Sequence, residues 1–216
     1  MKPSDFRLPF GNQKSNLYRM ESELVSALSR IKRPCKDAVF LTRTDAFCKS
    51  ASIQVDGLNV VAVAGSPTHF EAKEAPQYSI IIPISGFGSL TQGRRTIKFG
   101  GRRIIQSSYH RPITADLDYY SLVTINTDID LLIREITEQE QNFDRIKDRL
   151  LNLDTAEVPD ASDGVDYYRL FLKLLALIDA SQSDVGYIQM VRIDAMITKL
   201  IAQFLRRTSP FLINDS

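Results

Sequence analysis

Apolar and polar residues follow one another with different periods in three successive stretches of the chain, and each period predicts a kind of element. Between residues 17 and 31 the apolar positions recur mostly at steps of three and four, which predicts a short amphipathic helix closed by Pro34. From about residue 38 to 127 the period falls to two, as expected of β-strands. From residue 128 onward the helical period returns. The pattern predicts a helix, a β-domain and then more helices.

The central stretch holds eight short segments that are rich in Val, Ile, Tyr and Thr: AVFLTR, KSASIQVDG, LNVVAVAG, YSIIIPISG, RRTIKF, RRIIQSS, PITADL and YYSLVTINT. Asp56-Gly57 is a two-residue hairpin signal between two of them. Tight turns are expected at Gly93 and at Gly100-Gly101, because glycine adopts positive φ easily. Short strands at this spacing predict an antiparallel β-barrel or jelly roll of cupin type. The expected fold class is α+β, a cupin-like barrel followed by a C-terminal helical hairpin.

The C-terminal stretch predicts one or two helices over residues 128–153 and two more over 167–180 and 187–206. Between them, residues 154–166 carry five acids and no base, which indicates a solvated loop. Asp163 or Asp166 is expected to cap the helix that follows. The last helix has a seam at alternating spacings of three and four, formed by Met190, Ile193, Ile197, Leu200 and Phe204. Packing within the chain and a dimer contact fit this seam equally well.

Composition narrows the class of protein. The chain has 216 residues, 44% of them hydrophobic and 25% charged, with a net charge of +1, so it is an ordinary globular protein rather than a polycation for nucleic acid. Cys35 and Cys48 form neither a disulfide framework nor a close metal-binding pair. No apolar core of a signal peptide and no apolar run of about 20 residues is present, and we therefore expect a cytoplasmic protein with no membrane contact.

Candidate catalytic chemistry is sparse. The chain has two histidines, His69 and His110, on separate segments, whereas a metal-binding cupin needs about three together with a carboxylate, so no metal and no cofactor are predicted. GFGSLTQG resembles a phosphate-binding loop only superficially, because it lacks the Lys-Ser/Thr of a P-loop and follows an alternating strand. It is expected to form a turn and a bulge. We predict no catalytic residue.

A run of basic residues follows this segment and contributes six positive charges: Arg94, Arg95, Lys98, Arg102, Arg103 and Arg111. No aromatic platform is interleaved with them, unlike in single-strand binders. Their side chains alternate between the two sides of the predicted strand. The run is expected to form the solvated outer edge of a hairpin, with anion recognition as the lesser alternative.

The strand YSIIIPISG places Tyr78, Ile80 and Ile82 on one face and Ile81 on the other. The first face is expected to line the interior of the barrel, either as filled core or as a pocket for a small, largely apolar ligand. The second is expected to lie under the C-terminal helices. By position, the candidate effector-binding residues are Tyr78, Ile80, Ile82 and His110, the last at the expected mouth of the barrel.

Residues 78–136 resemble the effector-binding domain of AraC/XylS-type bacterial transcription regulators. The resemblance rests on an apolar strand ending at Gly86, turns at Gly93 and at Gly100-Gly101, a polar loop with Pro112, and a strand that runs into a helix. The helices on both sides also fit. Gly100 stands where the family usually has proline.

The resemblance implies a regulatory domain, not an enzyme. It would bind a small effector in its barrel, form a homodimer through its helices, and act on DNA through helix-turn-helix units absent from this chain. The expected organisation is a loop and helix (1–36), the barrel (37–127), a helical dimerisation region (128–207) and a linker (208–216). The alternatives are a free-standing cupin-like enzyme without metal and a protein-interaction module with a solid barrel.

Overall fold

Two antiparallel β-sheets and a layer of helices form this protein, whose structure is a computed structural model. The structure describes residues 6–30, 35–42, 44–75, 77–108, 111–137, 142–158, 164–181 and 184–209. The strands are β1 (Asn16–Tyr18), β2 (Cys35–Phe40), β3 (Cys48–Val55), β4 (Leu58–Gly65), β5 (Thr68–Ala72), β6 (Gln77–Ser85), β7 (Gly88–Gln92), β8 (Arg95–Phe99), β9 (Ile104–Ser108), β10 (Ile113–Leu117), β11 (Tyr120–Asp128) and β12 (Ala156–Val158). The helices are α1 (Glu21–Arg30), α2 (Ile129–Ile136), α3 (Phe143–Leu151), α4 (Tyr167–Ala180), α5 (Val185–Met190) and α6 (Ile193–Thr208).

The strands divide into a large sheet of seven, in the order β1-β3-β4-β11-β6-β9-β12, and a small sheet of five, in the order β2-β5-β10-β7-β8. Apolar side chains of both sheets form one core between them, which includes Val61, Val63, Ile81, Leu122, Phe70, Leu90, Phe99 and Leu117. Leu24 and Leu28 of α1, both fully buried, add to this core. The predicted fold class is confirmed, as a jelly-roll sandwich of two sheets rather than a closed barrel.

The other face of the large sheet lies under the helices. Its side chains form a second core with α2, α4 and α6, in which Val60, Ile80, Ile82, Val123 and Ile125 meet Leu132, Phe171, Ile197 and Phe204. The large sheet is therefore the middle layer of three. Because both of its faces are covered, all eight residues of β4 are buried, which explains why this strand reads as a nearly continuous apolar run.

The predicted turns are confirmed at two of three places. Asp56 and Gly57 both have positive φ, 39° and 79°, and join β3 to β4 as the expected hairpin. Gly93 has φ 60° between β7 and β8. At the third place the left-handed residue is Arg102, with φ 61°, and not Gly100 or Gly101.

Several elements depart from the sequence-based prediction. The helix expected over residues 17–31 begins at Glu21, because residues 16–18 pair with β3 instead. Most of GFGSLTQG is strand β7, paired on both sides, and not a turn and bulge. The acidic segment expected to be a loop contains β12, which pairs with β9. Asp166 is confirmed as the cap of α4, since its carboxylate accepts the backbone N–H of Arg169 at 2.7 Å.

The C-terminal helices confirm most of the prediction and correct one part of it. Residues 128–153 form two helices, α2 and α3, and α4 has the predicted bounds. The helix expected over residues 187–206 is interrupted at Val191 and Arg192, where Arg192 takes a left-handed φ of 57°. Met190 therefore belongs to α5, whereas the rest of the predicted seam belongs to α6.

Candidate functional site

The space between the two sheets is almost filled. It contains a cavity of about 40 Å³ whose lining includes Cys35, Phe70, Ile81, Leu90, Phe99 and Leu122. Ligand pockets for drug-sized molecules are typically about 300–1,000 Å³. In this conformation the cavity has room for a few waters at most, although its apolar lining matches the kind of ligand that the sequence predicts. A drug-sized apolar molecule would fit there only if the two sheets separated.

The structure reverses the expected faces of β6. Tyr78, Ile80 and Ile82 are fully buried, but they lie in the core under the helices rather than between the sheets. Ile81, expected under the helices, is the residue of this strand that lines the cavity. His110 lies outside the described residues. The alternation of β6 is visible in its sequence, but both of its faces are apolar, so the pattern alone does not tell which one meets the small sheet.

Tyr78 is held in an apolar environment. Its hydroxyl donates to Oε1 of Gln106 at 3.4 Å, and burial raises the pKa of its phenol well above the ordinary value. The phenol is therefore neutral at any physiological pH. Its position in the helix-side core gives Tyr78 a packing role in this conformation.

A row of polar side chains crosses the inner face of the large sheet at one end. Cross-strand register places Gln54, Asn59, Asn126, Ser79 and Ser107 side by side on five neighbouring strands. The Ser79 hydroxyl donates to Oδ1 of Asn126 at 2.6 Å, and the Ser107 hydroxyl lies 2.8 Å from that of Thr155. The residues of this row follow no apolar periodicity, and they were not predicted as a group from the sequence. Its signal was the set of polar residues at the ends of otherwise apolar strands.

The basic run lies on the surface, as predicted. All six basic residues are exposed: Arg94, Arg95, Lys98, Arg102, Arg103 and Arg111. By contrast, Ile97 and Phe99 of β8 point into the core. The Arg103 guanidinium pairs with the Glu157 carboxylate and ties β9 to β12. Exposed ion pairs of this kind contribute little stability.

His69 takes part in a small charged network on the outer face of the small sheet. Its Nδ1 lies 2.6 Å from Oδ1 of Asp116 on the neighbouring strand, and Nζ of Lys36 lies 2.7 Å from Oε2 of Glu71. The hydrogen bond from Lys36 lowers the pKa of Glu71. Within the ranges that the structure describes, no cluster of His, Cys, Asp and Glu could hold a metal ion.

The predicted helix seam divides into a buried part and an exposed part. Ile193, Ile197, Leu200 and Phe204 are buried in the core of this chain, and the Phe204 ring lies 5.3 Å from that of Tyr167 and 6.3 Å from that of Phe171. Met190 is 72% exposed. Because four of the five side chains already pack within the chain, the seam is an intrachain contact in this conformation.

Large apolar side chains remain exposed beside it. On α5, the following turn and the first turn of α6, they are Val185, Tyr187, Met190, Val191 and Met196, here called the α5 patch. Exposed apolar groups clustered in a short segment mark candidate contact surfaces. The α5 patch is thus a more accessible surface for self-association than the buried seam.

Comparison with known proteins supports the fold. No protein-family model matches the chain, and no curated protein matches it. The AraC-like transcriptional activator CuxR matches with a TM-score of 0.62 and 10% identity over 88% of this chain and 68% of its own. At that identity the likeness concerns the fold, and the resemblance to the AraC-type effector-binding domain is confirmed at that level.

Two shorter matches accompany it. An HTH_3 family transcriptional regulator from Vibrio cholerae has a TM-score of 0.35 and 9% identity over 37% of this chain and 50% of its own. A cupin superfamily protein from Desulfitobacterium hafniense has a TM-score of 0.34 and 10% identity over 38% of this chain and 77% of its own. At these TM-scores neither match supports a conclusion about this chain.

In the described part of the chain, every helix is too short or too polar to cross a membrane.

Proposed function

We propose that this chain is the regulatory domain of a bacterial AraC-type transcription regulator, which binds a small effector and self-associates. The observation that carries the proposal is the match to CuxR, because it spans 88% of the chain and so extends beyond the sandwich to the helices. About a third of CuxR lies outside the match. We place the DNA-binding units in a corresponding region beyond residues 208–216, which would act as a linker. Such a domain would bind its ligands without catalysing a reaction, and it would be located in the cytoplasm together with the DNA.

The layering offers a physical route from an effector to the helices. The large sheet is shared, so Ile81 faces the inter-sheet cavity while Ile80 and Ile82 of the same strand face the helices. A largely apolar effector that separates the sheets would move β6 and thereby the contacts of α4 and α6. We propose that Tyr78, Ile80 and Ile82 transmit this movement of β6 to the helices. An effector acts in this way only if it binds the two arrangements with different affinity.

For self-association we propose the α5 patch. Dimeric helix-turn-helix proteins read paired half-sites, so the geometry of the dimer decides which DNA sites are occupied. Tyr187 and Met190 are the large exposed side chains at its centre, at 48% and 72% exposure. They can be removed without disturbing the buried contacts of α6.

Fusion to a DNA-binding unit that represses only as a dimer tests this proposal. The chain should restore repression of a reporter, and the double variant Tyr187→Ser, Met190→Ser should lose it by about tenfold or more. Met20→Ser is the matched control. Met20 is 55% exposed and lies just before α1, far in sequence from the α5 patch. Sedimentation of the same variants reports the oligomer directly. A wild-type chain that sediments as a monomer at high concentration and does not restore repression contradicts the proposal.

A further inference from the structure

The basic run gathers positive charge at one edge of the sandwich. Its six side chains lie on β8 or in the segments beside it, and β8 is the end strand of the small sheet, next to β7. All six are exposed. The sequence has no acidic residue between Glu74 and Asp116, so every charged group in this part of the chain is positive apart from the histidine-independent ends of that interval. The basic run is therefore a surface of one sign.

Most of these charges have no partner within the protein. Only the Arg103 guanidinium pairs with a carboxylate, that of Glu157, among the residues that the structure describes. The other five basic side chains form no ion pair or hydrogen bond with a described residue. Lys98 and Asp116 line the same surface groove, but the cross-strand register places Ser89 between them. Five cations can thus meet an anion from outside the chain.

The charges form two groups, one at each end of β8. At one end, Arg94 and Arg95 lie at the β7–β8 turn, where a side-chain carbon on Gly93 would be 3.9 Å from Nη1 of Arg111. At the other end, Arg102 follows β8 with a left-handed φ of 61°. Because β8 has five residues, the groups are about 14 Å or more apart along the strand. The major groove of B-DNA is about 12 Å wide, so the two groups can contact phosphates on both of its sides.

The distribution of charge favours a polyanion over a single small anion. Outside the basic run, the chain has 21 basic residues and 26 acidic ones, so the rest of the molecule would steer a polyanion toward this edge. Charges on an edge strand also prevent pairing with other sheets, but that role requires no second group of charges beyond the strand. The basic run contains no aromatic platform for unpaired bases, whereas duplex DNA is bound through its phosphates.

We propose that the basic run binds the phosphate backbone of double-stranded DNA without reading its sequence. The inference rests on the proposed function, because a DNA-binding regulator would hold this domain close to DNA. Phosphate contacts position a protein on the duplex and carry no sequence information directly. The basic run would therefore add affinity and orientation at sites that the DNA-binding units select.

The test measures binding of the full 216-residue chain to a fluorescent duplex of about 20 base pairs, by anisotropy between about 50 and 200 mM salt. Each phosphate contact contributes ~0.9 to the slope of log affinity against log salt, so five contacts should give a slope of about −4 to −5. The double variant Arg94→Gln, Arg95→Gln should reduce this slope by about 2 and weaken binding by about tenfold or more at the lowest salt.

The double variant Arg169→Gln, Lys173→Gln is the matched control. It removes the same charge from exposed positions of α4, in the helical layer on the opposite side of the large sheet. It should leave the slope unchanged and the affinity within about twofold. If Arg94→Gln, Arg95→Gln fails to fold, Arg102→Gln tests the other group and should reduce the slope by about 1.

No binding at the lowest salt would overturn the proposal, and so would equal losses in the two double variants. Tighter binding of single-stranded oligo(dT) than of the duplex would contradict it and indicate stacking on Phe87, which is 71% exposed beside Gly100. Equal competition by polyglutamate would indicate an acidic protein as the partner instead. Self-association without salt-dependent DNA binding would overturn this inference alone. DNA binding by a chain that stays monomeric would instead overturn the self-association in the proposed function.

Discussion

At the scale of single residues, two buried threonines differ in whether their hydroxyls have partners. Thr124 of β11 is fully buried, and its Oγ1 has no hydrogen-bond partner among the described residues. Its cross-strand neighbours are Val61 and Ile81. The Thr155 hydroxyl lies 2.9 Å from Oε1 of Gln92.

Thr124→Val should stabilise the protein by about 1 kcal/mol, because it removes an unsatisfied hydroxyl from an apolar site and keeps the β-branched shape that the strand favours. Chemical denaturation measures the change in the free energy of unfolding. Thr155→Val is the control with the opposite sign and should cost about 1 kcal/mol or more, since it removes a made hydrogen bond. A loss of stability in Thr124→Val would mean that the hydroxyl has a partner, such as a bound water.

Because Tyr78 is buried, we expect the free energy of unfolding to depend on pH in the alkaline range. Burial raises the pKa of its phenol in the folded state above the unfolded value of about 10, so its contribution is complete below that value and is lost as the pH rises further. The difference in unfolding free energy between wild type and Tyr78→Phe should be constant up to about pH 9. Above about pH 10 the wild type should lose up to ~1.4 kcal/mol per pH unit relative to the variant. A difference that stays flat to high pH would show that the phenol ionises freely.

At the scale of elements, the break between α5 and α6 separates two residues that the sequence places in one seam. Phe204 is 1% exposed and packs against two aromatic rings, whereas Met190 is 72% exposed. Phe204→Ala should therefore cost about 3–5 kcal/mol, and Met190→Ala should change stability by no more than ~0.5 kcal/mol. Thermal and denaturant unfolding of the two variants measure this contrast. Similar costs for both would indicate a continuous helix with Met190 inside the seam.

The same elements show how far sequence reasoning reaches. Periodicity predicted most strands and α4 to within a residue or two, because apolar spacing reflects which side chains are buried. It could not predict the break at Arg192, since the residues on both sides keep the helical spacing and no glycine or proline marks the stop. It also could not orient β6, because a strand in the middle layer is apolar on both faces.

The polar row across the large sheet was not predicted, for a related reason. Asn59 and Asn126 are 67 positions apart by their numbers and become neighbours only through the pairing of β4 with β11. An isolated Asn near a strand end looks in the sequence like a turn residue. The short strand β5 was missed because its Thr and His give no clear alternation, and pairing within the small sheet decides its conformation. The alternation likewise did not predict β7, although a short strand before Gly93 belongs to the family pattern that the sequence resembles.

At the scale of the whole molecule, the large sheet makes the sandwich depend on the helices. Without residues after 128, apolar side chains on its outer face would be open to water, among them Val60, Ala62, Ile80, Ile82, Val123 and Ile125. Each fully buried Val or Ile contributes about 1.5–3 kcal/mol when it is removed from water, and the net stability of a domain is only about 5–15 kcal/mol. Exposure of the five Val and Ile residues among them, at about 1.5–3 kcal/mol each, is comparable to or larger than that net stability.

A chain of residues 1–128 should therefore fail to unfold cooperatively and should bind a hydrophobic dye, although the predicted boundary at residue 127 would make it nearly a complete barrel. A chain of residues 1–209, which keeps all the described elements, is the control and should unfold in one transition that fluorescence and circular dichroism report together. Cooperative unfolding of the shorter chain would show that the sandwich is stable by itself. An effector could then act within the sandwich without disturbing the helices. That result would contradict the proposal that movement of β6 couples the inter-sheet cavity to self-association.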